Sequence, residues 1–138
     1  MRIEARIHNS EGAHRAEVSV GGHSASIHIE PKASGKGSSV SGGELLMLAL
    51  ATCYCNDIYR EAAKAGMAVT AVDVECGAEF PAEGAPASKV TYSVRISARG
   101  SEEQIRDLAG RVDALAEIQN TVRAAIPVAL TRIEAIPG

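Results

Sequence analysis

Aromatic residues are scarce in this chain: 3% of 138, with no Trp and a single Phe. Its core must therefore be built from Ala, Val, Leu and Ile. Such small side chains suit close helix-to-sheet contacts, or contact with a second copy of the chain. The net charge is only −3, and no long run of like charges occurs. Without a basic stripe there is no footprint for a nucleic acid. No apolar run is long enough to cross a bilayer, which takes roughly 20 residues. The chain opens directly on an alternating strand pattern, so no secretory leader is expected. Cysteine appears three times, an odd number without framework spacing. That points to free thiols in a reducing, cytoplasmic setting.

The length fits one domain, residues 1–138. The first thirty residues alternate with period two. Ile3, Ala5 and Ile7 share one face, and Arg2, Glu4, Arg6 and His8 the other. The pattern recurs in Ala16, Val18 and Val20, and again in Ala25, Ile27 and Ile29. This predicts a three-stranded antiparallel meander with one wet face. Residues 31–43 follow as a Gly/Ser-rich loop. Gly35-Lys36-Gly37-Ser38 is not a phosphate loop. Glu30 stands where the motif's first Gly belongs, and Gly37 where Ser or Thr must follow the Lys.

A helix is predicted from a capping box, Ser41 with Glu44, to about Ala65, closed by Gly66. Residues 45–55 read Leu-Leu-Met-Leu-Ala-Leu-Ala-Thr-Cys-Tyr-Cys, apolar or cysteine everywhere except Thr52. A helix apolar on all sides is expected to be buried on all sides. From Asn56 to Lys64 it turns amphipathic and is expected to surface. A hairpin follows, with strands about residues 72–80 and 90–98 joined by Pro81–Ser88. A second capping box, Ser101 with Gln104, opens a helix through Ile105, Leu108, Val112 and Leu115. A short helical stretch covers Ile118 to Ala125, and Val128–Ile136 reads as a last strand. Strands, helix, strands, helices, strand is an α+β order.

Chemistry can rest on few residues. Cys53 and Cys55, two apart on a helix, point about 200° from each other. That geometry opposes an internal disulfide or a shared metal, and only one of them can face a given pocket. Free cysteine is otherwise a small buried hydrophobe. Cys76 lies in register with Val72, Val74 and Phe80, on the apolar face of its strand. His8, His14, His23 and His28 read as surface or turn histidines, without the spacing of a zinc site. Nothing in these residues calls for a metal or a cofactor.

The segment Gly43-Glu44-Leu45-Leu46-Met47-Leu48-Ala49-Leu50-Ala51-Thr52-Cys53 resembles the P-x-E-L-L-x-A-L-A-x-C signature of the OsmC-like family. That family includes osmotically inducible protein C and the organic hydroperoxide resistance proteins. The element order is similar over nearly the whole chain. The resemblance implies an intertwined homodimer, with an antiparallel sheet packed on a central buried cysteine helix and sites built from both subunits. In the peroxidase members, the cysteine matching Cys53 attacks an alkyl hydroperoxide and becomes a sulfenic acid. A late cysteine then closes a disulfide, which an external dithiol reduces. A Glu at the start of the helix and an Arg from the meander hold the thiolate. A nearby guanidinium lowers a thiol's pKa, so that Arg matters most.

Three departures stand out. The stretch matching the late cysteine, Ile118-Gln119-Asn120 or Ile126-Pro127-Val128, has no sulfur. The position of the peroxidase Glu is held by Gly43. Glu44, nine residues before Cys53, lies about 180° around the helix from it, and capping explains it better. The Arg is Arg15, with Arg6 the weaker candidate. A resolving thiol would have to be Cys55, with local unwinding, or Cys76, or a small external thiol. The expectation is a thiol-dependent peroxidase working through Cys53. The alternative is a non-catalytic dimer binding a small apolar ligand beside the cysteine helix, lidded by residues 31–43. In a third reading both helix thiols are inert core.

Overall fold

The computed structural model describes residues 1–136. The elements are β1 (Ile3–Ser10), β2 (Ala13–Val20), β3 (His23–Ile27), α1 (Gly42–Lys64), β4 (Val69–Glu79), β5 (Lys89–Ala98), α2 (Glu102–Leu115) and α3 (Glu117–Arg123). The fold is α+β, with two separate antiparallel sheets, β1-β2-β3 and β4-β5. The chain divides into two compact units, Met1–Leu46 and the remainder from Met47.

The first unit is the expected three-stranded meander, but not with a single wet face: within one chain Ile3, Ile7 and Ile27, on its apolar side, are exposed as well. Ile3 pairs with Val20 and Ile7 with Ala16, and Val18 with Ala25 across the next ladder. The turn between β2 and β3 places Gly21 and Gly22 at φ 55° and 83°. Two successive positive φ angles make a tight turn whose twist matches the strands, and glycine adopts them without strain. The 31–43 segment is more ordered than its composition suggests. Pro31 and Ser38 form an antiparallel bridge. Lys32 N–H donates to Gly37 O at 3.0 Å, and Ser39 N–H to Glu30 O at 2.9 Å. The glycines serve the turn: Gly35 and Gly37 have φ 75° and 81°.

In the second unit α1 packs on the β4–β5 hairpin. Tyr54, Ile58 and Ala62 recur every fourth residue and bury one stripe of the helix. They meet Leu108, Val112 and Ala116 from α2 and its end, and Val72, Val74, Val94 and Ile96 from the hairpin. Burying an Ile, Leu or Val of this group stabilises the fold by about 1.5–3 kcal/mol each. The β4–β5 register pairs Val74 with Val94 and Cys76 with Tyr92. Gly66, at φ 66°, ends the helix as expected. The second capping box is formed: Ser101 Oγ accepts from Gln104 N–H, and Gln104 Oε1 accepts from Ser101 N–H.

Three features of the single chain depart from expectation. The cysteine helix is not buried on all sides within one chain: Leu45, Leu46 and Leu48 are exposed, Leu48 at 61%. One chain supplies neighbours for a single stripe, and apolar composition alone cannot supply the rest. Val128–Ile136 is not a strand. Val128 is 99% exposed, and Leu130, Ile133 and Ile136 are exposed with it. Alternation marks a face, whereas a strand also needs a neighbour to bond with. Phe80 falls just past the end of β4 and is exposed.

Candidate functional site

Cys53 sits in the middle of α1, half-buried, at the margin of the core. Its position there follows from helical spacing: Tyr54 points into the core, so the preceding residue lies at the edge of the buried stripe. The sulfur's hydrogen-bond partner is one turn further on. Cys53 Sγ donates to Asp57 Oδ2 at 3.8 Å. Asp57 is only 5% exposed. An unpaired carboxylate so placed would cost several kcal/mol. Arg60 answers that need, donating from Nη1 to Asp57 Oδ1 at 2.6 Å. Its side chain is 51% exposed, so the stem reaches inward while the guanidinium stays hydrated.

The pair continues down the helix. Arg60 Nε donates to Glu61 Oε1 at 3.0 Å, and Lys64 Nζ to the same oxygen at 2.8 Å. Lys64 and Arg60 hold the Glu61 carboxyl below its ordinary range. Glu61, followed by Asp57, strengthens the protonated form of Arg60. The result is a row of alternating charge running from the sulfur to the end of α1. The residues were expected only as an amphipathic surface. The readable signal was a helical stripe 53, 57, 60, 64, in which a carboxylate stands one turn below a thiol.

The other cysteines lie elsewhere. Cys55 is half-buried on another side of α1, and Cys76 is half-buried on β4, where burial pushes its thiol up. All three are free thiols. Arg15 is exposed on β2, in the first unit, with His8 opposite it in the ladder. Arg6 is exposed on β1 opposite Glu17. Glu44 is the cap: its Oε2 accepts from Ser41 N–H at 2.7 Å, and its own N–H donates to Ser41 Oγ at 3.2 Å. These bonds hold its carboxyl below the usual range. His14 differs from expectation, being half-buried with an Nε2 that finds no hydrogen-bond partner among the described residues.

Two polar groups behind α1 fix the helix against its neighbours. Gln119, on α3, is 3% exposed and donates from Nε2 to Leu50 O at 2.9 Å. Tyr92 on β5 stacks edge-on against Tyr54, ring centres 5.0 Å apart. Its hydroxyl donates to Asp113, which Arg123 grips at 2.5 Å. Desolvation, followed by the bond to Asp113, drives the Tyr92 phenol well above its ordinary range. Tyr54 O–H donates to Ala109 O at 2.8 Å. No three His, Cys, Asp or Glu side chains among the described residues converge as a metal site.

A family model described as OsmC-like protein matches residues 35–131. The chain belongs to the OsmC-like family. Solved structures agree in fold. An OsmC-like protein of Mycoplasma pneumoniae superposes with a TM-score of 0.66 at 15% identity, covering 89% of this chain and 88% of that one. An organic hydroperoxide resistance protein of Legionella pneumophila gives 0.56 at 13%, covering 89% and 90%. The organic hydroperoxide resistance protein OhrB of Bacillus subtilis gives 0.54 at 12%, covering 89% and 91%. Identities so low establish the OsmC-like fold and nothing finer. No curated protein matches the chain significantly. Among the described residues, no helix of this OsmC-like chain is long and apolar enough to cross a membrane.

Proposed function

We propose that this chain is a thiol-dependent reductant of organic hydroperoxides, with Cys53 as the attacking sulfur. The observation that carries the reading is the sulfur's place. It stands within the span that matches the family, in the middle of α1, half-buried rather than sealed in the core. Relatives of the same fold are named organic hydroperoxide resistance proteins.

The chemistry balances with one protein thiol. Cys53 gives its proton to solvent, and the thiolate attacks the outer peroxide oxygen. The O–O bond breaks, the alkoxide takes a proton and leaves as the alcohol, and sulfur becomes a sulfenic acid. A small external thiol then attacks the sulfenic sulfur and displaces water, giving a mixed disulfide. A second external thiol releases a free disulfide and restores Cys53. The cycle asks nothing of Cys55 or Cys76, the alternative resolving thiols, neither of which pairs with Cys53 here. Arg15 is the proposed stabiliser of the thiolate. The same proposal includes a homodimer in a reducing compartment, the cytoplasm. Ile3, Ile7 and Leu48, exposed in a single chain, support a second copy.

One observation favours a second reading. A carboxylate that accepts from the Cys53 thiol favours its protonated form. An unreactive thiol fits a dimer that binds a small apolar ligand beside the cysteine helix without turning it over. Exposing the reduced protein to cumene hydroperoxide, trapping with a sulfenate-specific dione and mapping by mass spectrometry separates the two. The peroxidase reading expects an adduct on Cys53 and its loss in Cys53→Ser. Cys53 left unmodified at excess peroxide, with no faster alkylation than Cys76, overturns it.

A further inference from the structure

Asp57 has no task in the cycle just described, yet it is the most deeply placed acid of α1 and touches the sulfur. We propose that the Asp57–Arg60 pair is the positioning device that sets when Cys53 ionises: Asp57 aims and restrains the sulfur, and Arg60 relieves the restraint. The inference rests on the reading of Cys53 as the reactive thiol.

The argument is electrostatic. A carboxylate 3.8 Å from sulfur accepts the thiol's proton and repels the thiolate. Arg60, 2.6 Å from the other oxygen of that carboxylate, cancels much of this field. Arg60 is itself shared with Glu61, which Lys64 also holds. The field at the sulfur therefore depends on how far the guanidinium commits to Asp57. On neighbouring elements, Tyr92 of β5 stacks on Tyr54 of α1, Asp113 of α2 bonds to Tyr92, and Cys76 of β4 is half-buried. Tyr92 and Asp113 are tied to each other and to Arg123. Cys53 bonds to none of them, so its own helix supplies its polar neighbour.

The two charges act on sulfur in opposite senses, and the test uses this. Alkylation of the intact chain by iodoacetamide is followed across pH, with each cysteine read separately by peptide mass spectrometry. Asp57→Asn, close in shape, removes the repelling anion. The Cys53 midpoint should fall by about one pH unit or more, allowing for solvent screening. Arg60→Gln removes the cation, and the midpoint should rise by a similar amount, with Arg60→Lys restoring much of it. Midpoints that stay put, or that move together in both variants, overturn the proposal. Loss of packing alone would speed alkylation of both variants at every pH without parting their midpoints. Should Asp57→Asn fail to fold, the half-exposed Arg60→Gln decides alone, and an unmoved midpoint there sinks the idea. The same samples treated with cumene hydroperoxide keep the two claims apart. Opposite shifts without oxidation remove the peroxidase reading and leave the coupling. Oxidation of Cys53 with unmoved midpoints does the reverse.

Discussion

Gln119 offers a sharp test of how α3 is fixed to the cysteine helix. Its Nε2 donates to Leu50 O at 2.9 Å, while its Oε1 is buried without a partner among the described residues. Replacing it with Met keeps the length of the side chain and removes both polar atoms. The lost hydrogen bond costs about 1 kcal/mol, whereas removing a buried unpaired oxygen recovers about 1–3 kcal/mol. Leu50 O, inside α1, keeps its intrahelical donor, so no new orphan is created. Gln119→Met should therefore lie between neutral and about 2 kcal/mol more stable. Gln119→Ala loses the same bond and also leaves a cavity, so it should be clearly destabilised. Urea unfolding at one fixed protein concentration reads both, the fixed concentration guarding against coupled association. If Gln119→Met loses more than about 1 kcal/mol, the amide oxygen must be satisfied after all, and the magnitudes above were assigned to the wrong state.

Ile58 is fully buried between α1, α2 and the hairpin. Ile58→Ala should cost about 2–5 kcal/mol in urea unfolding, and a cost under 1 kcal/mol would contradict the packing described. The Tyr92 phenol titrates higher in the folded chain than in the unfolded one. The stability it confers is complete below the unfolded value, about 10, and is lost as pH rises beyond it. Wild type should weaken above that pH, Tyr92→Phe should weaken less steeply, and equal slopes would refute the assignment.

Much of this fold is written locally. The alternation from Ile3 to Ile27, both capping boxes and the closing Gly66 are short-range signals, and the structure carries them where expected. What failed depends on neighbours. Nothing in Val128–Ile136 itself says whether an edge is available to pair with it. Nor does the run Leu45–Cys55 say how many of its sides one chain can cover. The site divides in the same way. Cys53 stands out because thiols are few and its helix is distinctive. Asp57 and Arg60 passed as part of a wet surface, because charge next to an apolar run is ordinarily solvated. Only folding shows that Asp57 is turned inward and that Arg60 must follow it. Gln119 was hidden for the same reason, its partner being a backbone carbonyl 69 residues away.

The central claim is that one sulfur, Cys53, is consumed by an organic hydroperoxide and returned by a small thiol. Counting thiols tests it most directly. The fully reduced chain, with three free cysteines, is mixed with excess cumene hydroperoxide, its thiols are titrated, and a monothiol is then added. The account predicts the loss of one thiol per chain, located at Cys53, and its recovery with the monothiol. A count that stays at three, or a loss confined to Cys55 or Cys76, contradicts it.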